Sequence, residues 1–236
     1  MNIYAHRGYS GRYLENTMEA FIAADLMQAD GIELDVRLSL DGEVIVFHDA
    51  TLSRTFQWRG FISKKPAHIL QQIYTRKNGR TYHIPTLDDF LYWFAQTNLM
   101  VNIEFKADSA KDNGLEAKTI QLLKDYDVCD RVFFSSFDEK ALKRAKQLAP
   151  EIAAGLLVKS ASETTILKAA DLALDFYHPS HRKLTKELVA FAHHHLLKVN
   201  AWTVNKPKNI LRMAALGVDG IITDDPVRAK MVLQMN

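Results

Sequence analysis

The sequence predicts an α/β protein, a (β/α)8 barrel with a small insertion after the second strand. Three observations carry this. Short apolar strands alternate about eight times with amphipathic segments of helical length. The chain has 236 residues, close to the usual size of such a barrel. Polar residues recur at the carboxyl ends of the strands, where barrels build their sites. An open doubly wound sheet shares the alternation, but the strand count and the strand-end polar residues favour the barrel.

The elements follow in order. "NIYAH" is the first strand and ends by presenting His6 and Arg7. "NTMEAFIAADLMQ" is the first helix, with Phe21, Ala24 and Leu26 on its apolar face. Within it, Asn16 with Glu19 three residues on fits a helix cap at least as well as a functional residue. "GIELDVRL" is the second strand. Between it and the helix-like "TLDDFLYWFAQ" lie about forty residues outside the rhythm. This insertion, about residues 43–85, opens with a hairpin signal, Asp41-Gly42 between two apolar-rich runs. A two-residue loop would pair Leu40 with Glu43 and set Asp35 opposite His48, on one face of the ribbon. The rest of the insertion is mixed in character and is expected over one mouth of the barrel. Strand-helix pairs then resume: "LMVNIEF" with "GLEAKTIQLLKDY", "RVFFSS" with "DEKALKRAKQLA", "IAAGLLV" with "SETTILKAA". "LALDFYH" with "LTKELVAFAHHH", "KVNAWTV" with "KNILRMAALG", and "DGIIT" with "DPVRAKMVLQ" complete the series. No low-complexity stretch or polar linker divides the chain, so residues 1–236 read as one domain.

Composition narrows the function classes. A content of 47% hydrophobic and 25% charged residues suits a soluble globular protein with a sizeable core. The formal charge of +2 gives no reason to propose a nucleic-acid partner. The single cysteine, Cys129, leaves no intramolecular disulfide framework and fits a reducing compartment. Signal-peptide features and bilayer-length apolar runs are both lacking. The expectation is a cytoplasmic protein without stable membrane insertion. No helical face announces an interface, and the oligomeric state stays open.

The chemistry lies in two acidic strands. In "IELDV", Ile32, Leu34 and Val36 face the helices, so Glu33 and Asp35 face the barrel axis. In "NIEFK", Ile103 and Phe105 face outward, and Glu104 and Lys106 face inward or to the rim. Carboxylates gathered on apolar strands are expensive to bury and repel one another. A divalent cation resolves both problems, and all-oxygen ligation points to Mg²⁺ or Ca²⁺. An arginine and a lysine, Arg7 and Lys106, suit an anionic phosphate. Two imidazoles, His6 and His48, suit proton transfer. Together these are the needs of phosphodiester hydrolysis.

Each has a plainer reading. His6 alone would be a hydrogen-bonded strand-end histidine, Arg7 a partner of Glu15, and Glu104 with Lys106 a salt bridge. His48 with Asp49 could be a turn feature, and Trp202 could fill the barrel. The run His193–His195 reads as a solvated helix end. His178 and His181 follow a strand and are not assigned to the site.

The pieces "AHRG", "ENT", "GIELDV", "VIVFHDATLSRT", "IPTLDDFL", "NIEFK", "SSFD", "AWTVN" and "GVDGIITDDP" run in order from residue 5 to about 226. In this ordered set the chain resembles the glycerophosphodiester phosphodiesterase family, metal-dependent (β/α)8 barrels. The resemblance implies metal ligation by Glu33, Asp35 and Glu104 and acid-base work by His6 and His48. It implies phosphate contacts from Arg7 and Lys106, and a pocket wall from Trp202 against the alcohol. The substrate would be a small-molecule glycerophosphodiester. The order of base and acid, and attack by water or by the glycerol hydroxyl, stay open. Leu14 stands where the family usually has proline, and "TFQWRG" replaces a Thr/Gly-rich run. Two other readings share these residues. One is lysophospholipase D-type activity, with Phe56, Trp58 and Phe61 as an apolar mouth. The other is a non-catalytic barrel that binds phospho-ligands.

Overall fold

The strand "GIELDVRL" is buried along its whole length, as a strand covered on both faces must be. A computed structural model, which describes residues 1–106 and 113–235, shows how that cover is built. The first half holds β1 (Asn2–His6), α1 (Met18–Leu26), β2 (Gly31–Leu38), β3 (Val44–Val46), α2 (Ser53–Phe56) and α3 (Ala67–Gln72). It continues with β4 (Tyr74–Lys77), β5 (Arg80–His83), α4 (Leu87–Phe94), β6 (Met100–Phe105) and α5 (Leu115–Asp125). The second half holds β7 (Val132–Ser136), α6 (Glu139–Leu148), β8 (Ala153–Val158), α7 (Glu163–Asp171) and β9 (Phe176–Pro179). Then come α8 (Lys186–His194), β10 (Lys198–Ala201), α9 (Pro207–Leu216), β11 (Gly220–Thr223) and α10 (Pro226–Gln234).

The parallel strands run β1-β11-β10-β9-β8-β7-β6-β2, and β1 pairs with β2 to close the ring. This is the (β/α)8 barrel. Outward residues such as Ile32, Leu34, Val101 and Ile103 form the main core with helix residues such as Phe21, Phe90 and Leu123. The barrel axis is filled differently. Tyr4, Phe133 and Ile222 pack there, and Asn102, Ser135, His178 and Asn200 are buried as well. No helix among the described residues is long and apolar enough to cross a membrane.

The insertion has its own small core, in which Ile45, Phe47, Phe56, Leu70 and Tyr82 meet. Its opening hairpin corrects the expected register. β3 pairs antiparallel with β2 as Val36↔Val46, Arg37↔Ile45 and Leu38↔Val44, one residue away from the two-residue-loop pairing. The loop holds three residues, Leu40 to Gly42, because the Ser39 N–H donates to the Glu43 carbonyl (2.9 Å) and Gly42 adopts φ +81°. Asp35 therefore lies opposite Phe47, whose N–H donates to the Asp35 carbonyl (2.9 Å), not opposite His48. The chain leaves the ladder after Val46, and His48 reaches the barrel mouth from the following bend. The helix cap falls one residue later. Thr17 occupies the cap position of α1, while Asn16 sits at φ +54° with its amide turned to the barrel.

Candidate active site

Parallel register assembles the acidic cluster. On β2 and β6, Asp35 lies abreast of Glu104, and on β1 and β2, His6 lies abreast of Glu33. Neighbouring strands are about 5 Å apart, so inward side chains at paired positions meet. One carboxylate oxygen from each of Glu33, Asp35 and Glu104 lies within 4.8 Å of the others, and all three residues are buried. The separation between acid strands in the sequence disappears here.

The cluster is held by surrounding charge. After β1 the backbone turns sharply through Arg7 (φ +56°) and Gly8 (φ +78°), which aims the Arg7 N–H at Glu33 Oε2 (3.0 Å). A Cβ on Gly8 would meet the Ala20 carbonyl carbon at 2.6 Å, so glycine is required twice over. The Arg7 side chain donates from Nη1 to Glu15 Oε1 (2.7 Å), and its Nε lies 3.2 Å from Asp35 Oδ2. The Lys106 ammonium bridges Asp35 Oδ1 (2.8 Å) and Glu104 Oε1. The Glu15 pairing and the Glu104–Lys106 salt bridge are thus both present, inside the cluster.

The carboxyl groups respond unequally. Burial, with Asp35 and Glu104 alongside, raises the Glu33 pKa well above the ordinary carboxylate range. Burial and the Asp35 charge push Glu104 up to about 7. Asp35 goes the other way: despite its burial, Lys106 and Arg7 hold it far below the ordinary value. Three buried acids face two cations, so the set has capacity for a further positive charge. Its donors are all carboxylate oxygens, which suits a hard divalent cation.

Two histidines face this cluster, each held from behind by a carboxylate. His6 Nδ1 lies 2.6 Å from Asp224 Oδ1, and its Nε2 lies 4.0 Å from Glu33 Oε2. His48 Nδ1 lies 2.7 Å from Asp49 Oδ1, and both Arg37 Nε (2.9 Å) and Nη2 (2.7 Å) donate to the His48 carbonyl. In each ring a carboxylate at Nδ1 leaves Nε2 for the cavity. Burial lowers the His48 pKa, with the Asp35 charge opposing it. Despite burial, the hydrogen bond to His6 holds the Asp224 carboxyl below its ordinary value.

Several contributors escaped the sequence reading. Asp224 stands directly after β11, and Asn205 Nδ2 donates to its Oδ2 (2.5 Å). Both are polar residues just past a barrel strand, which is the signal that could have found them. Asn16 Nδ2 donates to Asp35 Oδ2 (2.7 Å), a contact its capping pattern concealed. Arg54 joins Asp49 (Nε, 2.5 Å) to Glu15 (Nη1, 2.8 Å), linking the surroundings of both histidines through Arg7.

A cavity of about 110 Å³ brings His6, Arg7, Glu33, His48, Glu104 and Lys106 to one space. Its other wall is apolar, from Phe137, Leu157, Trp202 and Ile222. The Trp202 ring stands edge-on to Phe137, centroids 5.5 Å apart, and its Nε1–H donates to the His178 carbonyl (2.7 Å). Asp35 lies behind this surface, in contact with Lys106 and Arg7. The expected aromatic mouth is not formed: Phe56 is buried in the insertion's core, and the exposed Trp58 and Phe61 are not on the cavity wall. His178 is buried in the barrel, and His181 is turned to the Trp202 carbonyl (Nδ1, 3.2 Å).

A centre that can gather a cation, bind an anion and move protons is suited to cleaving a phosphate ester. Comparison with known proteins agrees. The sequence profile described as the glycerophosphoryl diester phosphodiesterase family matches residues 6–228. A glycerophosphodiester phosphodiesterase of Caldanaerobacter subterraneus subsp. tengcongensis is 36% identical over 95% of this chain and 94% of its own. One from Bacillus altitudinis is 36% identical over 96% of each chain. Among solved structures, an Oleispira antarctica phosphodiesterase in complex with the product sn-glycerol-3-phosphate superposes with a TM-score of 0.89. It is 30% identical and covers 99% of this chain and 97% of its own.

Proposed function

The chain belongs to the glycerophosphoryl diester phosphodiesterase family, and on that premise we propose that it hydrolyses small glycerophosphodiesters to glycerol phosphate and an alcohol. The observation that carries this reading is the facing pair of carboxylate-held histidines across the Glu33–Asp35–Glu104 cluster. Those three acids would hold Mg²⁺ or Ca²⁺. Such an ion, when bound, polarises a phosphoryl oxygen.

The side chains divide the remaining work. Arg7 and Lys106 bind the anionic phosphate. His6, with Asp224 at its Nδ1, uses Nε2 to take the proton from the attacking hydroxyl, either of water directly or of the glycerol, in which case water then opens the cyclic phosphodiester to glycerol phosphate. As the phosphorus–oxygen bond to the alcohol breaks, His48 gives the departing oxygen a proton from Nε2, and Asp49 steadies the imidazolium before transfer. Trp202 and Phe137 place the alcohol against the apolar wall. The proposed location is the cytoplasm, on the single cysteine.

Release of the head-group alcohol from glycerophosphocholine, glycerophosphoethanolamine and lysophosphatidylcholine, in EDTA and then with Mg²⁺ or Ca²⁺, tests the reading. Turnover of the glycerophosphodiesters that appears only with the added ion is expected. His6→Ala and His48→Ala should each lower kcat by a factor on the order of 10²–10⁴. Wild-type turnover in both folded variants would overturn the mechanism.

A further inference from the structure

We propose that the catalytic end of the barrel docks on an anionic phospholipid surface, with Trp58 and Phe61 as its interfacial anchors. The net charge of +2 conceals an uneven distribution. Residues 50–85 contain seven Lys/Arg and no Asp or Glu. Arg54 is taken up by Glu15 and Asp49, and Arg80 lies over the Tyr13 ring (4.7 Å). The other five, Arg59, Lys64, Lys65, Arg76 and Lys77, form no ion pair among the described residues.

Topology puts these cations beside the site. The insertion follows β2, so it stands at the carboxyl end of the barrel, and a bridge joins Phe61 to Thr51, two residues past the Asp49 that holds His48. On the opposite rim of the same end, Arg182, Lys206 and Lys208 line a cavity of about 570 Å³. At the far end of the barrel aspartates stand at the strand starts, one of them, Asp175, paired with Lys146 (3.1 Å). There Asp30, Asp175 and Asp219 accept the N–H groups of Ile3 (2.8 Å), Ala154 (2.9 Å) and Val199 (2.7 Å) at the strand starts. Cations gathered on the catalytic end turn it toward an anionic surface as the molecule approaches.

The aromatic residues select a bilayer over a soluble polyanion. Trp58, Phe61 and Tyr74 are 47%, 53% and 48% exposed among these cations. They share one patch: Trp58 Nε1–H donates to the Tyr74 carbonyl (3.2 Å), and Lys65 lies over Gly60, next to Phe61. Exposed tryptophan and phenylalanine interleaved with Lys/Arg match the headgroup region, where rings enter the interface and cations meet lipid phosphates.

The test is sedimentation of the full chain with vesicles of phosphatidylcholine, alone or mixed with phosphatidylglycerol. It needs no turnover, so it stands apart from the hydrolase reading. Partition onto the mixed vesicles and not onto phosphatidylcholine is expected. R59Q/K64Q/K65Q should weaken it on the order of 10²-fold, and W58A/F61A by ~10-fold or more, with unfolding midpoints of both variants checked against wild type. Failure to prefer the anionic vesicles would overturn the proposal. So would binding lost in the charge variant but unchanged in W58A/F61A, which would mark a face for soluble polyanions.

Discussion

Asp224 shows how a residue outside the cavity wall can govern one on it. Its carboxylate fixes the His6 ring at 2.6 Å and is itself held by Asn205. Asp224→Asn should lower kcat by ~10² or more while leaving KM nearly unchanged, because it disturbs tautomer and orientation and not phosphate binding. Steady-state kinetics on a soluble glycerophosphodiester separates the two, and a change confined to KM would count against the assignment. His178 carries a second prediction. Burial alone lowers its pKa to about 3, and neither ring nitrogen has a hydrogen-bond partner among the described residues. In the unfolded chain a histidine titrates near 6.5. Below that pH the unfolded state takes up a proton that the folded state refuses, so stability falls as pH drops from about 6.5 toward 3, by up to ~1.4 kcal/mol per unit. His178→Leu should remove this share of the acid sensitivity, read as a shallower loss of Tm between about pH 6.5 and 4. The two residues differed in legibility for a physical reason. Alternation within each of two strands exposed Glu33, Asp35 and Glu104, whereas the partnership of Asp224 with His6 depends on barrel closure between distant segments.

Between β2 and β3, a turn of three residues decides which side chains oppose one another. Asp41-Gly42 announced the hairpin correctly, but the sequence does not distinguish a two-residue from a three-residue loop, and that one residue displaces every pairing. The cavity survives the difference because His48 lies past the last paired residue and is placed by Arg37. Local reasoning left Asn16 open between a cap and a functional residue: a capping pattern matched, while the long-range claim of Asp35 on its amide was stronger. Glycine substitutions distinguish the two turns. At Gly42 the backbone is left-handed but a Cβ would meet nothing within 4 Å, so Gly42→Ala should cost ~1 kcal/mol. At Gly8 the same backbone strain is joined by collision with Ala20, so Gly8→Ala should cost ~3 kcal/mol or more. Urea midpoints at constant m-value compare them, and equal losses would contradict the packing described around β1 and α1.

Across the whole molecule, the eight-stranded ring was readable from rhythm and length, but the distribution of charge between its two ends was not. That distribution depends on which loops share an end, a property of topology that no total charge reports. The same ring brings the acidic cluster together, so cation binding and global stability are linked. At a hundredfold excess over Kd, Mg²⁺ or Ca²⁺ should stabilise the fold by ~2.7 kcal/mol, raising Tm by roughly 5–10 °C for a chain of this size. Glu104→Gln should abolish most of that rise, as differential scanning calorimetry with EDTA controls would show. The seam between β1 and β11 has a consequence in time. His6 emerges from the ribosome well before its carboxylate partner, which lies 218 positions later. Every shorter nascent chain therefore lacks the brace for its own imidazole, and competence arrives only when synthesis has passed the final strand.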